Sequence, residues 1–156
     1  LPIKTFAADI ASFEPPGTFA LAVCMGDTLP HLPDLSAVER TVQLAANALQ
    51  QDGSFIVCWR DLTTIPEDTG RFIPVRSDAM RVFTCFLEDV SPEKVRVTDI
   101  LHTRTPEGDG FGQRASSYFK LRLSPETVER ILKDHGLSVT HRDTARGMQV
   151  RVAAKN

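Results

Sequence analysis

The sequence lacks long apolar runs and an excess of charge of either sign. Its longest apolar run, Phe19–Met25, is far too short to cross a bilayer, and its first residues do not have the pattern of a signal peptide. The 18 basic and 20 acidic residues give a formal net charge of -2. Because the basic residues are scattered, nothing favours binding to nucleic acid or to a membrane. These absences predict a cytoplasmic protein whose partners are small molecules or proteins.

Cysteine is also scarce, with three residues in the chain. Cys24, Cys58 and Cys85 each lie in an apolar, strand-like stretch, and no two of them form a C-x-x-C pair. An odd number of such residues is typical of buried free thiols in a reducing compartment. We therefore expect neither a disulfide nor a metal site.

The apolar patterns predict an α/β sheet within one domain, residues 1–156. "FALAVCM" and "SFIVCW" are apolar on nearly every residue, as in strands covered on both faces. Between them, Ser36 and Glu39 fit a capping box, and apolar spacing predicts a helix from about Ala37 to Gln50. Two strands joined through a helix form a parallel crossover unit. "IKTFAAD" predicts a short strand before them.

The pattern changes over residues 71–123, where no helical spacing is found. "MRVFTCFLED", "KVRVTDILHT" and "SSYFKLRL" predict three strands joined by turns, one of them at residues 107–110. Such strands should pair antiparallel as a small added sheet. Ser124 and Pro125 then open a helix that Gly136 closes. "LSVTHRDT" and "MQVRVAAK" follow as strands joined by a tight turn, so the last strand should be antiparallel.

Polar residues follow three of the predicted strands. In open α/β sheets, ligands bind where the carboxyl ends of the strands meet, so these residues are expected to line one crevice. The residues are Asp9, Gly26, Asp27, His31, Arg60 and Asp61.

The order of these pieces resembles a known enzyme family. "KTFAADI", "FALAVCMGDTLPHL", "LQQDGSF", "FIVCWRD" and the final "HGLSV" and "GMQVRVAAK" resemble the later two-thirds of a class I S-adenosylmethionine-dependent methyltransferase. The glycine N-methyltransferase-like group is the most similar. The resemblance implies a Rossmann-like sheet that lacks its first strands, S-adenosylmethionine as cofactor, and methyl transfer to a small-molecule acceptor such as an amine or amino acid.

The resemblance also implies which residues bind the cofactor. Asp9 matches the acid that accepts a hydrogen bond from the adenine amino group, and the backbone N–H of Ile10 would face the adenine ring. Met25 belongs to the same site, and Gly26 would let the backbone approach the cofactor closely. His31 would pack on the cofactor. The alternatives are a turn-capping aspartate at Asp9, a strand-ending turn at Gly26 and a loop histidine bonded to backbone.

Asp27 and Arg60 are the residues that the resemblance implies in catalysis. Arg60 matches an arginine that holds the carboxylate of an amino-acid substrate, since a guanidinium gives a carboxylate two parallel donors. Asp27 stands where the group often has asparagine. A carboxylate there would accept from an ammonium or hydroxyl but repel a carboxylate, which argues against glycine as the substrate. The alternative is a surface ion pair of Arg60 with Asp27 or Asp61.

Two other classes of function compete with methyl transfer. A nicotinamide-dependent dehydrogenase shares the crevice but predicts a last strand parallel to the rest. A non-catalytic Rossmann-like binding or dimerisation module keeps the fold without turnover.

The start of the sequence adds one further expectation. The chain opens at Leu1-Pro2 without methionine, and no glycine-rich cofactor loop precedes "IKTFAAD". We therefore expect the later part of a longer protein, in which Phe19–Met25 has an open edge. That edge should be covered by Leu1–Ala8, by further chain or by a second copy, and a homodimer is the arrangement that we favour.

Overall fold

The computed structural model describes residues 3–106 and 110–156, which fall into two compact units. The first unit contains the chain up to Asp61 and from Leu123 onwards, and the second is Leu62–Arg122. The elements of the first unit are β1 (Phe19–Cys24), α1 (Leu35–Ala48), β2 (Leu49–Trp59), α2 (Pro125–Asp134), β7 (Leu137–Ala145) and β8 (Met148–Lys155). Those of the second are β3 (Phe72–Ser77), β4 (Arg81–Asp89), β5 (Lys94–Arg104) and β6 (Phe111–Leu121).

The first unit contains a mixed sheet with strand order β1-β2-β8-β7. β1 runs parallel to β2, while β8 is antiparallel to both β2 and β7. A tight turn at Arg146 and Gly147, both with positive φ, joins β7 to β8. The predicted α/β sheet with an antiparallel last strand is therefore confirmed, and the parallel last strand of the dehydrogenase alternative is not found.

The two helices pack on this sheet through one apolar face each. Val38, Val42 and Ala46 of α1 are buried, as are Val128, Ile131 and Leu132 of α2. α1 packs against β1 and β2, and α2 against β7. These apolar positions follow the helical spacing of the sequence.

The ends of the helices differ in part from the prediction. The capping box at Ser36 is wrong, because Asp34 is the N-cap and its Oδ1 accepts the backbone N–H of Ala37 at 2.8 Å. Ser36 instead donates its hydroxyl to Asp34. Ser124 caps α2 as predicted, accepting the N–H of Thr127 at 3.2 Å.

The predicted strand "IKTFAAD" is wrong as well. Residues 3–9 have no regular structure, and Asp9 begins a turn in which its carbonyl accepts the backbone N–H groups of Ser12 and Phe13. In the described chain, β1 pairs with β2 alone, so its other edge is not covered by residues 3–8. Leu1 and Pro2, the rest of that segment, lie outside the described residues.

The second unit is an antiparallel sheet with order β3-β4-β5-β6. The three strands predicted over residues 71–123 correspond to β4, β5 and β6. The fourth strand, β3, was not predicted from "FIPVRS", because a proline such as Pro74 is unfavourable within a strand. Leu62 and Ile65 join Leu87, Val95 and Val97 in its apolar cluster. Of the turn predicted at residues 107–110, residues 107–109 lie outside the described residues.

Candidate cofactor and acceptor site

A two-residue turn at the carboxyl end of β1 is the centre of the candidate site. Gly26 and Asp27 follow one another with φ of 79° and 71°, both in the left-handed region. The N–H of Gly26 donates to Sγ of Cys58 at 3.3 Å, which joins the turn to β2. A Cβ at Gly26 would meet no atom within 4 Å, so there is open space above the backbone at this residue. Glycine is favoured here because of its positive φ and not because of a close contact.

Asp27 bonds to the backbone at the end of the neighbouring strand. It is only 7% exposed, and its Oδ1 accepts the N–H of Arg60 at 2.7 Å. Aspartate is one of the few residues other than glycine that tolerate the left-handed conformation. Asp27 therefore fixes the backbone from which the Arg60 side chain departs.

The Arg60 side chain leaves β2 at an exposed position. Its Nη1 lies 3.3 Å from the position that a Cβ on Gly147 would occupy, in the turn between β7 and β8. Glycine thus leaves room for the guanidinium beside this turn. Asp27 thus contacts Arg60 through its carboxylate and the backbone N–H of Arg60.

An apolar cavity of about 460 Å³ lies beside β1 and α1. Ile10 and Met25 line it and are 39% and 53% exposed. The remaining lining residues are Phe13, Pro15, Phe19, Leu21, Ala22, Val23, Cys24, Thr28, Thr41, Leu44, Ala45, Ala48 and Phe55. No side chain in this lining carries a formal charge at neutral pH, so the cavity suits an apolar ring better than a phosphate.

Asp9 and His31 lie outside that lining. Oδ1 of Asp9 accepts the N–H of Ala11 at 2.9 Å, the bond of a turn-capping aspartate. His31 ends a short 3₁₀ helix, Leu29–His31, and is exposed. Leu29 and Pro30, both buried, anchor this helix. The structure thus brings Ile10 to Met25 and the Gly26–Asp27 turn to Arg60, while Asp9 and His31 stand on separate short turns.

Comparison with known proteins gives matches to solved structures only; no family model and no curated protein matches the chain. An S-adenosylmethionine-dependent methyltransferase from Clostridium acetobutylicum matches 97% of this chain with a TM-score of 0.78 and 14% identity. An amino pentose methyltransferase from Micromonospora echinaspora matches 96% with a TM-score of 0.78 and 14% identity. A sugar N-methyltransferase from Streptoalloteichus matches 96% with a TM-score of 0.75 and 15% identity.

The chain has the fold of S-adenosylmethionine-dependent methyltransferases. It spans 64%, 63% and 61% of the length of those three structures. The fold that the resemblance implied is confirmed. At the ends of the parallel strands β1 and β2, the structure brings together Gly26, Asp27 and Arg60, which are three of the six residues for which one crevice was predicted.

The sequence did not reveal Cys58 and Thr28 as supports of the Gly26–Asp27 turn. Thr28 donates its hydroxyl to the carbonyl of Met25 at 2.8 Å, so the turn is closed on both sides. Burial raises the pKa of the nearby Cys24 thiol, against a lowering contribution from Thr28. A thiol held protonated is a poor nucleophile. Of the three cysteines predicted to be buried, Cys58 is buried, while Cys24 and Cys85 are partly exposed.

Two further features bear on the classes of function. No helix in residues 3–106 and 110–156 is long and apolar enough to span a membrane. Within the same residues, no three histidine, cysteine or acidic side chains are arranged to hold a metal ion.

Proposed function

We propose that this chain takes part in S-adenosylmethionine-dependent methyl transfer to an amine of a small molecule. The observation that carries the proposal is the Gly26–Asp27 turn at the end of β1, open above Gly26 and next to the apolar cavity that Ile10 and Met25 line. The names of structures with the same fold support an amine acceptor, since they include an amino pentose methyltransferase and a glycopeptide N-methyltransferase. The three free cysteines favour the cytoplasm as the compartment.

We infer that the described residues hold the adenine end of this cofactor. In the proposal, Ile10 and Met25 contact the ring, the second carboxylate oxygen of Asp9 accepts from the amino group, and His31 packs against the cofactor. Gly26 lets the backbone come close, because a side chain at that point would project into the open space. No contact to the ribose or the methionine part is assigned to these residues.

When bound, the cofactor would supply a methyl group attached to a sulfonium sulfur, and the leaving group would be a neutral thioether. The protein's contribution is to bring acceptor and methyl into line and to exclude water. Arg60 is proposed to orient an acidic group of the acceptor, and Asp27 to hold Arg60 in place through its backbone. An amine must attack unprotonated, so a base near the acceptor is needed. His31, which is exposed, suits that role better than Asp27, which is buried and already hydrogen-bonded.

Binding of S-adenosylhomocysteine tests the proposal directly. Calorimetric titration of the product of the complete reading frame should show binding, and Met25→Glu should weaken it about tenfold or more because a charge would enter an apolar cavity. Met80→Glu is the matched control, since Met80 and Met25 are each 53% exposed. Absence of binding, or equal weakening by both changes, would contradict the proposal.

A second candidate function is supported by the surface of β1. Phe19, Leu21 and Val23 are 44%, 52% and 59% exposed, on an edge strand with no second partner in the described chain. Such a surface favours a binding or dimerisation module, and we propose a homodimer as its form. The same titration separates the two functions, because a module without turnover need not bind S-adenosylhomocysteine.

A further inference from the structure

The antiparallel sheet of the second unit carries a polar row beside its apolar cluster. Side chains directly opposite one another in an antiparallel pair lie on the same face. The register therefore gives one face three successive rows: Leu87, Val97 and Tyr118; then Cys85, Asp99 and Ser116; then Phe83, Leu101 and Arg114. Leu87 and Val97 of the first row belong to the apolar cluster of the unit, and Tyr118 and Cys85 pack against it. Asp99 lies in the second row, directly opposite Cys85.

Asp99 is a half-buried carboxylate with part of its hydrogen-bonding capacity in use. The thiol of Cys85 lies 3.0 Å from its Oδ1, and the hydroxyl of Tyr118 lies 3.4 Å from the same oxygen. Both of these contacts are made by Oδ1. An ionised carboxylate can accept about four hydrogen bonds, so Asp99 retains room for a charged donor.

The same face forms a cavity of about 430 Å³ with one acidic and one basic side chain. Its lining consists of Phe83, Asp99, Leu101, Arg114, Ala115 and Ser116. Asp99 and Arg114 lie on neighbouring strands one row apart, and within the described residues they form no ion pair with each other. Both charges thus remain available in a cavity whose other walls are mainly apolar.

We propose that this cavity binds a small zwitterion with an apolar body, of the class of aliphatic amino acids. Asp99 receives the ammonium group, Arg114 the carboxylate through its fork of donors, and Phe83 and Leu101 contact the apolar part. Diagonal neighbours on such a face are about 7–8 Å apart, a gap that a single zwitterion can bridge. This binding does not rest on the proposed function, in which Arg60 orients the methyl acceptor.

Three related probes separate the two charges. L-Leucine carries both, 3-methylbutylamine carries only the ammonium, and 4-methylpentanoate carries only the carboxylate. Titrated into the ¹⁵N-labelled chain, leucine should shift amide signals of β4, β5 and β6. Asp99→Asn should weaken leucine and the amine by about tenfold to hundredfold and leave the acid unchanged, as expected when a charged hydrogen bond is lost. Arg114→Gln should weaken leucine and the acid and leave the amine unchanged.

Thr98→Val is the matched control, because Thr98 lies on the opposite face, where its hydroxyl is 2.8 Å from that of Ser117. It should bind leucine like the parent chain. Absence of leucine-induced shifts in β4–β6, or equal affinity of the parent and of Asp99→Asn, would overturn the proposal. If Asp99→Asn does not fold, Arg114→Gln provides the test, and equal leucine affinity of the parent and of Arg114→Gln would overturn the proposal. The proposed function is tested separately by the titration of S-adenosylhomocysteine into the product of the complete reading frame, so its failure and the failure of leucine binding are distinguishable.

Discussion

Glu129 on α2 accepts a hydrogen bond of 2.6 Å from Nε of Arg151 on β8. Arg151 is 5% exposed, and its guanidinium lies 5.6 Å from the ring centroid of Trp59. Arg142 on β7 donates to both carboxylate oxygens of Glu129, at 2.7–3.1 Å. One carboxylate thus joins a helix to the two antiparallel strands that complete the sheet.

This arrangement predicts a loss of stability in acid. The hydrogen bond from Arg142 is the main cause that holds the pKa of Glu129 below its ordinary value; Arg151 adds to it and burial opposes it. A lowered pKa contributes stability that is fully present above the unfolded value of about 4.3 and is lost as the pH falls through the folded value. Glu129→Gln should therefore flatten the fall in urea midpoint between about pH 5 and pH 3.

At neutral pH the same variant should be less stable by about 1–3 kcal/mol, because Arg151 loses a charged partner while it remains buried. Arg142→Gln is the control with the smaller expected effect, since its side chain is 58% exposed. An unchanged acid slope in Glu129→Gln would show that other carboxylates set the acid transition.

Asp27 offers a test that separates structure from catalysis. Asp27→Ala removes the acceptor from the Arg60 N–H and keeps a residue with positive φ, so the free energy of unfolding should fall by about 1–3 kcal/mol. Asp27→Asn keeps an acceptor and tolerates that φ, so stability should change little. Measured in urea, this contrast supports the positioning role. A stable Asp27→Asn that loses turnover entirely would instead make the carboxylate a base.

Arg60 should affect turnover rather than cofactor affinity. Arg60→Lys keeps the charge but loses the planar fork, so kcat should fall while the affinity for S-adenosylhomocysteine stays nearly unchanged. Arg130→Lys, at an exposed position of α2, is the control for a general effect of the substitution. Equal turnover of Arg60→Lys and the parent would remove Arg60 from the acceptor site.

Asp9 can be assigned by comparing affinity with stability. If it accepts from the adenine amino group, Asp9→Ala should weaken cofactor binding by about 1–3 kcal/mol, measured calorimetrically. If it acts only through the turn bond to Ala11, the affinity should stay and the urea midpoint alone should fall. Ser12→Ala, which alters the same turn without the carboxylate, is the matched control.

The sequence predicted those parts of the fold that depend on local periodicity and turn chemistry. The apolar spacing of α1 and α2, the cap at Ser124 and the tight turn at Gly147 each follow from residues close to one another in the chain. The strand expected at residues 3–9 required a neighbour with which to pair, and weak alternation cannot supply one. Likewise, the contacts of Gly26 with Cys58 and of Cys85 with Asp99 depend on how the strands pair. Pairing brings together residues that are 32 and 14 positions apart in the chain, respectively.

The exposed edge of β1 gives the last prediction. No charged residue occurs between Thr18 and Gly26, so two copies of this edge meet without charge repulsion, and pairing would bury the exposed side chains of Phe19, Leu21 and Val23. We expect sedimentation velocity to show a dimer of this chain. Val23→Lys should shift it to monomer, because a lysine on an edge strand opposes pairing. Val75→Lys is the control, since Val75 lies on β3, in the second unit, and is 51% exposed. A parent chain that sediments as a monomer at all concentrations would contradict the homodimer.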